Sequence, residues 1–308
     1  MDRPKMIIGL VLLVLLVPGT ADLPSAAAGR TVADRSTPDG SASEGSVSAG
    51  SVPDGSAPEG SAGSAPWGSR VRTFHGRAFD VCSAPSRDTM RRWRTSDYRA
   101  VGVYYAGRGR ACRHQPALNR GWMRAVTGMG WRVLPVYVGS QAPCVSARHK
   151  RGVRIGRHPW RQGVREARDA VRRAGALGIQ RHSPLYLDME AYNYRKRGCA
   201  RTTLSFVRAW DREVERRGYV PGFYSSAGSG VRHMEAARRA GVRDLPAVMW
   251  FARWHTKPHL YREPVLRRNA WHPQRRIHQY AGNVKERHGG RTLVIDRNLV
   301  RAPVARIG

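Results

Sequence analysis

The sequence predicts an α/β protein, a (β/α)8 barrel of the TIM type over residues 70–308, on three observations. From Phe74 onward, short apolar runs alternate with longer arginine-rich stretches that have helical periodicity. Several of the eight apolar runs are apolar on both faces, as buried parallel strands are. The region also has a suitable length, since barrels of this type use about 250 residues. A doubly wound open sheet is the alternative that the same alternation allows.

The first 28 residues have the order of a secretory signal peptide. Arg3 and Lys5 precede an apolar run at 6–17, and small residues follow it. A membrane anchor is the alternative, but the run is shorter than the roughly 20 residues that a spanning helix needs. We therefore expect a secreted protein that keeps no transmembrane anchor after signal cleavage.

Residues 29–69 have the composition of a disordered linker. Ser, Gly, Ala and Pro dominate this stretch, and a Pro-acid-Gly-Ser motif begins at Pro38, Pro53 and Pro58. Such a segment has too little apolar surface to offset the entropy lost on ordering. We expect a mobile tether between the signal peptide and the barrel.

The barrel region divides into strands and helices in chain order. The predicted strands are residues 78–81, 100–105, 132–138, 185–189, 220–224, 247–251, 276–280 and 293–296. The predicted helices are residues 86–98, with Ser86 as cap, 118–129, 161–177 and 202–217. Because strands and helices alternate, we expect parallel strands joined by crossover connections.

Four cysteines, all in the barrel region, point to disulfide bonds. Export would place Cys82, Cys112, Cys144 and Cys199 in an oxidising compartment, where an even number favours two disulfides. From spacing alone, three pairings are possible. A zinc site is disfavoured, because no Cys-x-x-Cys pair occurs.

The barrel region is strongly basic. Formal net charge is +32 for the chain; residues 1–69 hold four basic and seven acidic residues, which leaves 50 basic and 15 acidic residues in 70–308. Such a surface attracts anionic polymers. Outside a cell, wall polymers or membrane surfaces are the expected partners rather than nucleic acid. GC-rich coding, which favours arginine, is the alternative cause.

Four acids follow apolar runs at the ends of predicted strands: Asp80, Asp188, Glu190 and Asp296. In a β/α barrel the active site forms at the carboxyl ends of the strands. Asp188 and Glu190 would share a face, with Cα atoms roughly 6.6 Å apart. Two carboxyl groups in one cleft suit glycoside hydrolysis, in which one is protonated and the other ionised. A salt-bridged surface pair is the alternative.

Aromatic residues that can stack on sugar rings occur near the same strand ends. The candidate substrate-binding residues are Tyr104, Tyr105, Tyr137, Tyr192, Tyr224, Trp250, Trp254 and Tyr280, with Gln279 as a hydrogen-bonding partner. The histidines are scattered without a paired helical spacing, and neither a Gly-x-Ser-x-Gly elbow nor a phosphate loop occurs. We therefore expect neither a metal site nor a cofactor.

These residues resemble a known family. The runs GRAFD at 76–80, AVGVYY at 100–105, GWRVLPVYVG at 130–139, QAPC at 141–144 and YLDMEAY at 186–192 are similar to the glycoside-hydrolase-like domain of exported actinobacterial proteins. That domain is in turn similar to the family 25 lysozymes. The resemblance implies Glu190 as proton donor and Asp188 as the group that polarises water or orients the acetamide. Asp80 and Asp296 would support the cleft electrostatically.

The same resemblance implies the disulfides Cys82–Cys112 and Cys144–Cys199. It favours a glycosidase acting on peptidoglycan or a related wall polysaccharide, and we expect the protein to be a monomer. A non-catalytic wall-binding module and a binder of anionic polymers are the alternatives. Acids that share one cleft without arginine partners would favour catalysis, whereas acids neutralised by arginine would favour a binding module.

Overall fold

The computed structural model describes residues 70–308, in which eight strands close into a barrel. The signal peptide predicted at 1–28 and the linker predicted at 29–69 lie outside the described residues. No helix within 70–308 combines the length and apolar character that a membrane crossing requires.

Strands and helices alternate through most of the barrel. The strands are β1 (Thr73–Val81), β2 (Tyr98–Ala106), β3 (Arg132–Tyr137), β4 (Pro184–Asp188), β5 (Val220–Ser226), β6 (Val248–Ala252), β7 (Arg276–His288) and β8 (Arg291–Pro303). The helices are α1 (Arg87–Arg92), α2 (Arg120–Gly128), α3 (Pro159–Ala176), α4 (Arg197–Arg216) and α5 (Arg232–Arg239). The predicted barrel is confirmed, and all eight predicted strand regions overlap an observed strand.

The last strand departs from the expected topology. Strands β1 to β7 pair in chain order and in parallel. Strand β8 runs antiparallel to both β7 and β1, so the prediction that all strands are parallel is wrong here. Gly289 and Gly290 both have positive φ and turn the chain directly from β7 into β8. A hairpin of this kind needs no crossover helix.

The β7–β8 hairpin is longer than the two short strands predicted for it. Each strand has 13 residues, and side chains in the distal half of β7 alternate between half-buried and exposed. The paired segments therefore extend beyond the barrel wall on the side where the parallel strands end.

The helices show what local signals could predict. Ser86 caps α1 through its hydroxyl, which accepts a hydrogen bond from the Thr89 amide. The helix ends at Arg92, and a short 3-10 turn follows, so its predicted extension to Tyr98 is wrong because Tyr98 begins β2. Helix α5 was not predicted, and residues 253–275 connect β6 to β7 without an α-helix.

The fully buried Arg276 holds the irregular segment 253–275 in place. Its guanidinium donates hydrogen bonds to the carbonyl oxygens of Leu260, Arg267 and Ala270. The buried cation thus replaces the regular hydrogen bonds that a crossover helix would supply.

Candidate active site

A cleft of about 540 Å³ lies at the carboxyl ends of the parallel strands, where barrel active sites form. All four predicted acids line it, namely Asp80 from β1, Asp188 and Glu190 from the end of β4, and Asp296 from β8. Asp296 lies on β8, which runs antiparallel to the other strands and so enters the barrel from the cleft side. In the sheet register, Asp296 lies directly across from Asp80.

Asp80 is fixed by three hydrogen bonds in a buried position. Its carboxyl accepts from the Tyr104 hydroxyl at 2.6 Å, from the Asn298 amide at 2.7 Å and from the Gln279 amide at 3.1 Å. Burial raises the pKa of Asp80, and the three hydrogen bonds act in the opposite direction. Gly102 on β2 makes room for this carboxyl, because a Cβ there would lie 2.5 Å from the Asp80 Cβ.

Asp296 is linked to Asp80 through one side chain. The Gln279 amide donates to Asp80 and, at 3.3 Å, to Asp296, while the Asn283 backbone amide donates to the other Asp296 oxygen at 2.7 Å. The pKa of Asp296 is raised to about 7. Burial is the largest cause, and the charge of the neighbouring Asp80 is the next. The two carboxyl groups therefore do not readily carry full charge together near neutral pH.

Asp188 is buried like Asp80 but, within residues 70–308, lacks the hydrogen bonds that hold Asp80. It is 3% exposed, and its Oδ1 atom has no hydrogen-bond partner among the described residues. Burial and then the charge of Glu190 raise the pKa of Asp188 well above its usual range, although Lys150 partly opposes the shift. Burial and the nearby charge of Glu190 therefore favour the uncharged form of the Asp188 carboxyl.

Glu190 differs from Asp188 in both exposure and partners. Its side chain is 36% exposed, and Oε1 lies 3.7 Å from the ammonium of Lys150. The buried Lys150 also donates to the Gly109 carbonyl at 2.7 Å, which fixes its position. Gln141 holds the backbone here, since its Oε1 accepts from the Glu190 amide at 2.8 Å. The cleft thus contains one accessible carboxyl next to a fixed cation.

Three of the predicted aromatic residues line the cleft: Tyr104, Tyr224 and Trp254. Trp254 is 40% exposed, and its indole N–H donates to Gln279 Oε1, as the Tyr224 hydroxyl does. The fully buried Gln279 therefore fixes the side chains of Tyr224 and Trp254 as well as the two acids Asp80 and Asp296. Trp250 is also buried, and its indole donates to Asn298, so it supports Asp80 from inside the barrel.

Four other predicted substrate-binding residues lie away from the cleft, which corrects their assignment. The hydroxyl of Tyr105 donates to the Ala170 carbonyl, and that of Tyr137 to Asp169, both on α3. Tyr192 is buried against His233, and Tyr280 lines a separate surface cavity with Tyr98 and Glu286. Consecutive strand residues point to opposite faces, so Tyr104 and Tyr105 could not both face the cleft.

The site contains residues that the sequence did not single out. Lys150, Asn298, Gln141 and Asn283 contact the acids or the backbone beside them. Only Asn298 had a usable signal, since it follows Asp296 by two residues on one strand and so shares its face. Lys150 lies in a 3-10 segment, where no periodicity indicates which way a side chain points.

Both disulfides have the pairing that the family resemblance implied. Cys82–Cys112 and Cys144–Cys199 are formed, and the first pair lines the cleft. Within residues 70–308, no group of three or more His, Cys, Asp or Glu side chains is arranged to hold a metal ion. The polar side chains that line the cleft include the four carboxyl groups, the amine of Lys150, the phenols of Tyr104 and Tyr224, the imidazole of His149 and the guanidinium of Arg110.

Several solved structures are similar to this barrel. Rv2525c, a Tat-secreted protein of Mycobacterium tuberculosis crystallised with L-tartrate, has 15% identity and a TM-score of 0.50, with 74% of this chain and 96% of that chain covered. At this identity, the likeness establishes the fold. No curated protein sequence matches the chain significantly.

Two enzymes are similar at lower TM-scores. The spore cortex lytic enzyme SleM of Clostridium perfringens has 11% identity and a TM-score of 0.48, with 73% of this chain and 67% of that chain covered. The modular autolysin LytC of Streptococcus pneumoniae has 13% identity and a TM-score of 0.45, with 75% and 46% covered.

The family itself is defined by the sequence match. A model described as Rv2525c-like, glycoside hydrolase-like domain matches residues 91–300, a span that contains β2 to β7, most of β8 and three of the four cleft acids. With this match over more than half of the chain, and with the barrel and cleft in agreement, the chain belongs to the Rv2525c-like family of glycoside hydrolase-like domains.

Proposed function

We propose that this protein is a secreted glycoside hydrolase that cleaves peptidoglycan or a related wall polysaccharide. The observation that carries the proposal is the state of Asp188, a buried carboxyl without a hydrogen-bond partner at Oδ1, beside an accessible Glu190. None of the four cleft acids has an arginine within 4.0 Å in the described part of the chain. A module that only binds would gain nothing from leaving these acids without arginine partners in an arginine-rich protein.

The two central acids differ enough to take different roles. Glu190 donates the proton to the leaving glycosidic oxygen, since it is the accessible member of the pair. The ammonium of Lys150 then stabilises the carboxylate that remains after donation, which favours the transfer. Asp188 polarises water or orients the 2-acetamido group of the sugar. Water then attacks the anomeric carbon in place of the departing oxygen, and its proton returns Glu190 to the acid form. Asp80 and Asp296 support positive charge that develops on the ring.

The shape of the cleft supports a polymeric substrate. A second cavity of about 480 Å³ continues past the acids toward Ala227 and Arg253. Glu190, Tyr224 and Trp254 line both cavities, so the reacting carboxyl lies between two open binding regions. Such a groove accommodates sugars on both sides of the scissile bond, which favours cleavage within a chain over removal of end units.

Two features support action outside the cell. The first 28 residues have the pattern of a secretory signal, and all four cysteines are paired in disulfides. Wall polysaccharide is then the accessible polymer. The positive charge of the barrel region would favour its approach to an anionic wall.

The test is release of reducing ends from purified peptidoglycan by the full chain. We expect Glu190→Gln to abolish release while circular dichroism and the melting temperature stay unchanged. Glu215→Gln, which alters an exposed acid on α4, is the matched control and should keep full activity. Equal release by wild type and Glu190→Gln would refute the mechanism. Retention on walls without release by wild type would identify a binding module instead.

A further inference from the structure

A separate cavity of about 440 Å³ lies outside the barrel, between the segment that follows β2 and helix α3. Five arginines line it, and its two carboxylates are Glu166 and Asp169. No part of the proposed hydrolysis uses this cavity. Its concentration of positive charge therefore calls for a separate explanation.

The two carboxylates of this cavity already have other partners. Glu166 accepts hydrogen bonds from the amide and hydroxyl of Ser140, and its Oε1 lies 4.0 Å from Nε of Arg108, which also lines the cavity. Asp169 is paired with Arg172 and Arg173 and also accepts from Tyr137. Neither acid is free to neutralise the remaining arginines of the cavity.

Three of the lining arginines lack a carboxylate partner within residues 70–308. Arg113 and Arg165 are exposed and form neither an ion pair nor a side-chain hydrogen bond in this part of the chain. Arg110 is half-buried, and its guanidinium is held by the backbone carbonyls of Gly107, Tyr104 and Tyr105. These hydrogen bonds fix the position of its charge without cancelling it.

The arginines are held together despite their repulsion. The pKa of Arg110 is lowered. Burial is the largest cause, and the positive charges of Arg173 and Arg113 add to it. The Cys82–Cys112 disulfide anchors the segment that carries Arg110 and Arg113, so the charges do not need to be gathered when a ligand arrives. A bound anion would relieve this repulsion.

We propose that this cavity is a binding site for a phosphoryl group. Planar guanidinium groups form paired hydrogen bonds with phosphate oxygens, and several converging arginines match a dianion better than a single carboxylate. The site does not depend on the proposed hydrolysis. Arg110 also lines the acid-containing cleft, so a phosphoryl group carried by a bound saccharide and a free phosphate ion could both reach it.

The first experiment measures binding of inorganic phosphate to the full chain by calorimetry at neutral pH. We expect Arg113→Ala/Arg165→Ala to weaken binding at least ten-fold without a change in melting temperature, because neither side chain has another partner in 70–308. The control is Arg232→Ala/Arg239→Ala, which removes two exposed arginines of α5 and should change affinity less than two-fold. Equal weakening by both double variants, or equal binding of chloride and phosphate at matched ionic strength, would overturn the site.

The second arm distinguishes the source of the phosphoryl group. We compare N-acetylglucosamine 6-phosphate with N-acetylglucosamine and with inorganic phosphate. A sugar phosphate that binds at least ten-fold more tightly than either of the others supports a saccharide-borne group, whereas equal binding of both phosphates supports free phosphate. Glu190→Gln should bind inorganic phosphate like wild type, so a failed hydrolysis assay leaves this proposal testable. No phosphate binding by wild type would refute it.

Discussion

Glu213 on the outer helix α4 and Asp188 in the cleft have opposite surroundings in the same arginine-rich chain. On α4, Glu213 is buried under Arg168, Arg216 and Arg217, with N–O distances between 2.7 and 2.9 Å. These arginines lower its pKa to about 2. In the cleft, Asp188 has no arginine partner in the described residues, and its pKa is raised well above its usual range.

This difference separates stabilising charge from reactive charge. Residues 70–308 hold 50 basic and 15 acidic residues, so a buried carboxyl without an arginine requires a structural cause, both at Asp188 in the cleft and at Asp211 on α4. Arg110 lines the cleft, yet its guanidinium is occupied by backbone carbonyls and is not paired with the acids. At the barrel mouth, the pKa values of Asp80, Asp188 and Asp296 are therefore raised.

After Glu190→Gln, which should abolish release, the largest effect is expected at Asp188. Asp188→Asn should lower turnover on peptidoglycan by about 10²–10³-fold, because the amide cannot reproduce the hydrogen bond by which the carboxyl orients the acetamido group. Its melting temperature should stay equal or rise, because burial disfavours the charged form of this carboxyl. Glu213→Gln should keep wild-type turnover. Retained activity in Asp188→Asn, measured as initial rate of reducing-end release, would remove Asp188 from the mechanism.

The next largest effect is the pH dependence of stability, which should differ between the cleft and helix α4. Asp296 has a folded pKa of about 7 against about 3.9 when unfolded, so the folded state binds the extra proton between these values. The contribution of Asp296 to stability should then fall by about 1.4 kcal/mol per pH unit as pH rises from 4 toward 7. Asp296→Asn should have a shallower slope than wild type in urea unfolding, because one raised pKa is removed while those of Asp80 and Asp188 remain, whereas Asp97→Asn, at an exposed acid, should retain the wild-type slope. Identical slopes in all three proteins would contradict the assignment.

The outer acid should show the opposite sign. The pKa of Glu213 is lowered, so its contribution is present above about 4.5 and is lost as pH falls toward about 2. Glu213→Gln should cost about 2 kcal/mol of unfolding free energy at neutral pH, after allowance for solvent screening of its partly exposed partners. The cost should shrink in acid. A variant as stable as wild type at pH 7 would show that the arginine cluster contributes little.

The smallest effect concerns the exposed aromatic wall. Trp254→Ala should raise KM on a soluble glycan about five- to ten-fold, with kcat less affected, because stacking binds the sugar without taking part in proton transfer. Trp160 on α3 has similar exposure, 37% against 40%, and lies outside the cleft. Trp160→Ala should leave KM unchanged. A KM that responds equally to both substitutions would place sugar stacking elsewhere.

The barrel was predictable because its parallel strands are buried on both faces and therefore read as apolar runs. The hairpin at the end was less visible, since β7 and β8 combine buried and exposed halves and the prediction kept only short parts of them. The Gly289-Gly290 pair between alternating residues is a hairpin signal that was present in the sequence. Residues 253–275 have no comparable signal, because a buried arginine, and not periodicity, organises them.

The acids of the site were predictable and most of their surroundings were not. Four carboxyl groups at strand ends converge because strand ends meet at one mouth. Aromatic position near a strand end is a weaker guide, since Tyr105 and Tyr137 pack outward on α3. Lys150 comes from a segment between β3 and α3 whose path depends on tertiary contacts, so its approach to Glu190 required the structure.

The antiparallel closure of the barrel also decides how the fold responds to mechanical force. Thr73 at the start of β1 pairs with Pro303 at the end of β8, so these two residues lie at the same end of the β1–β8 seam, the antiparallel pairing that closes the barrel. Tension applied through these two positions would open the seam one pair at a time. In an all-parallel barrel the same strands would be loaded in shear. We expect a low rupture force in single-molecule pulling, and a high one would show that the seam is not the weak point.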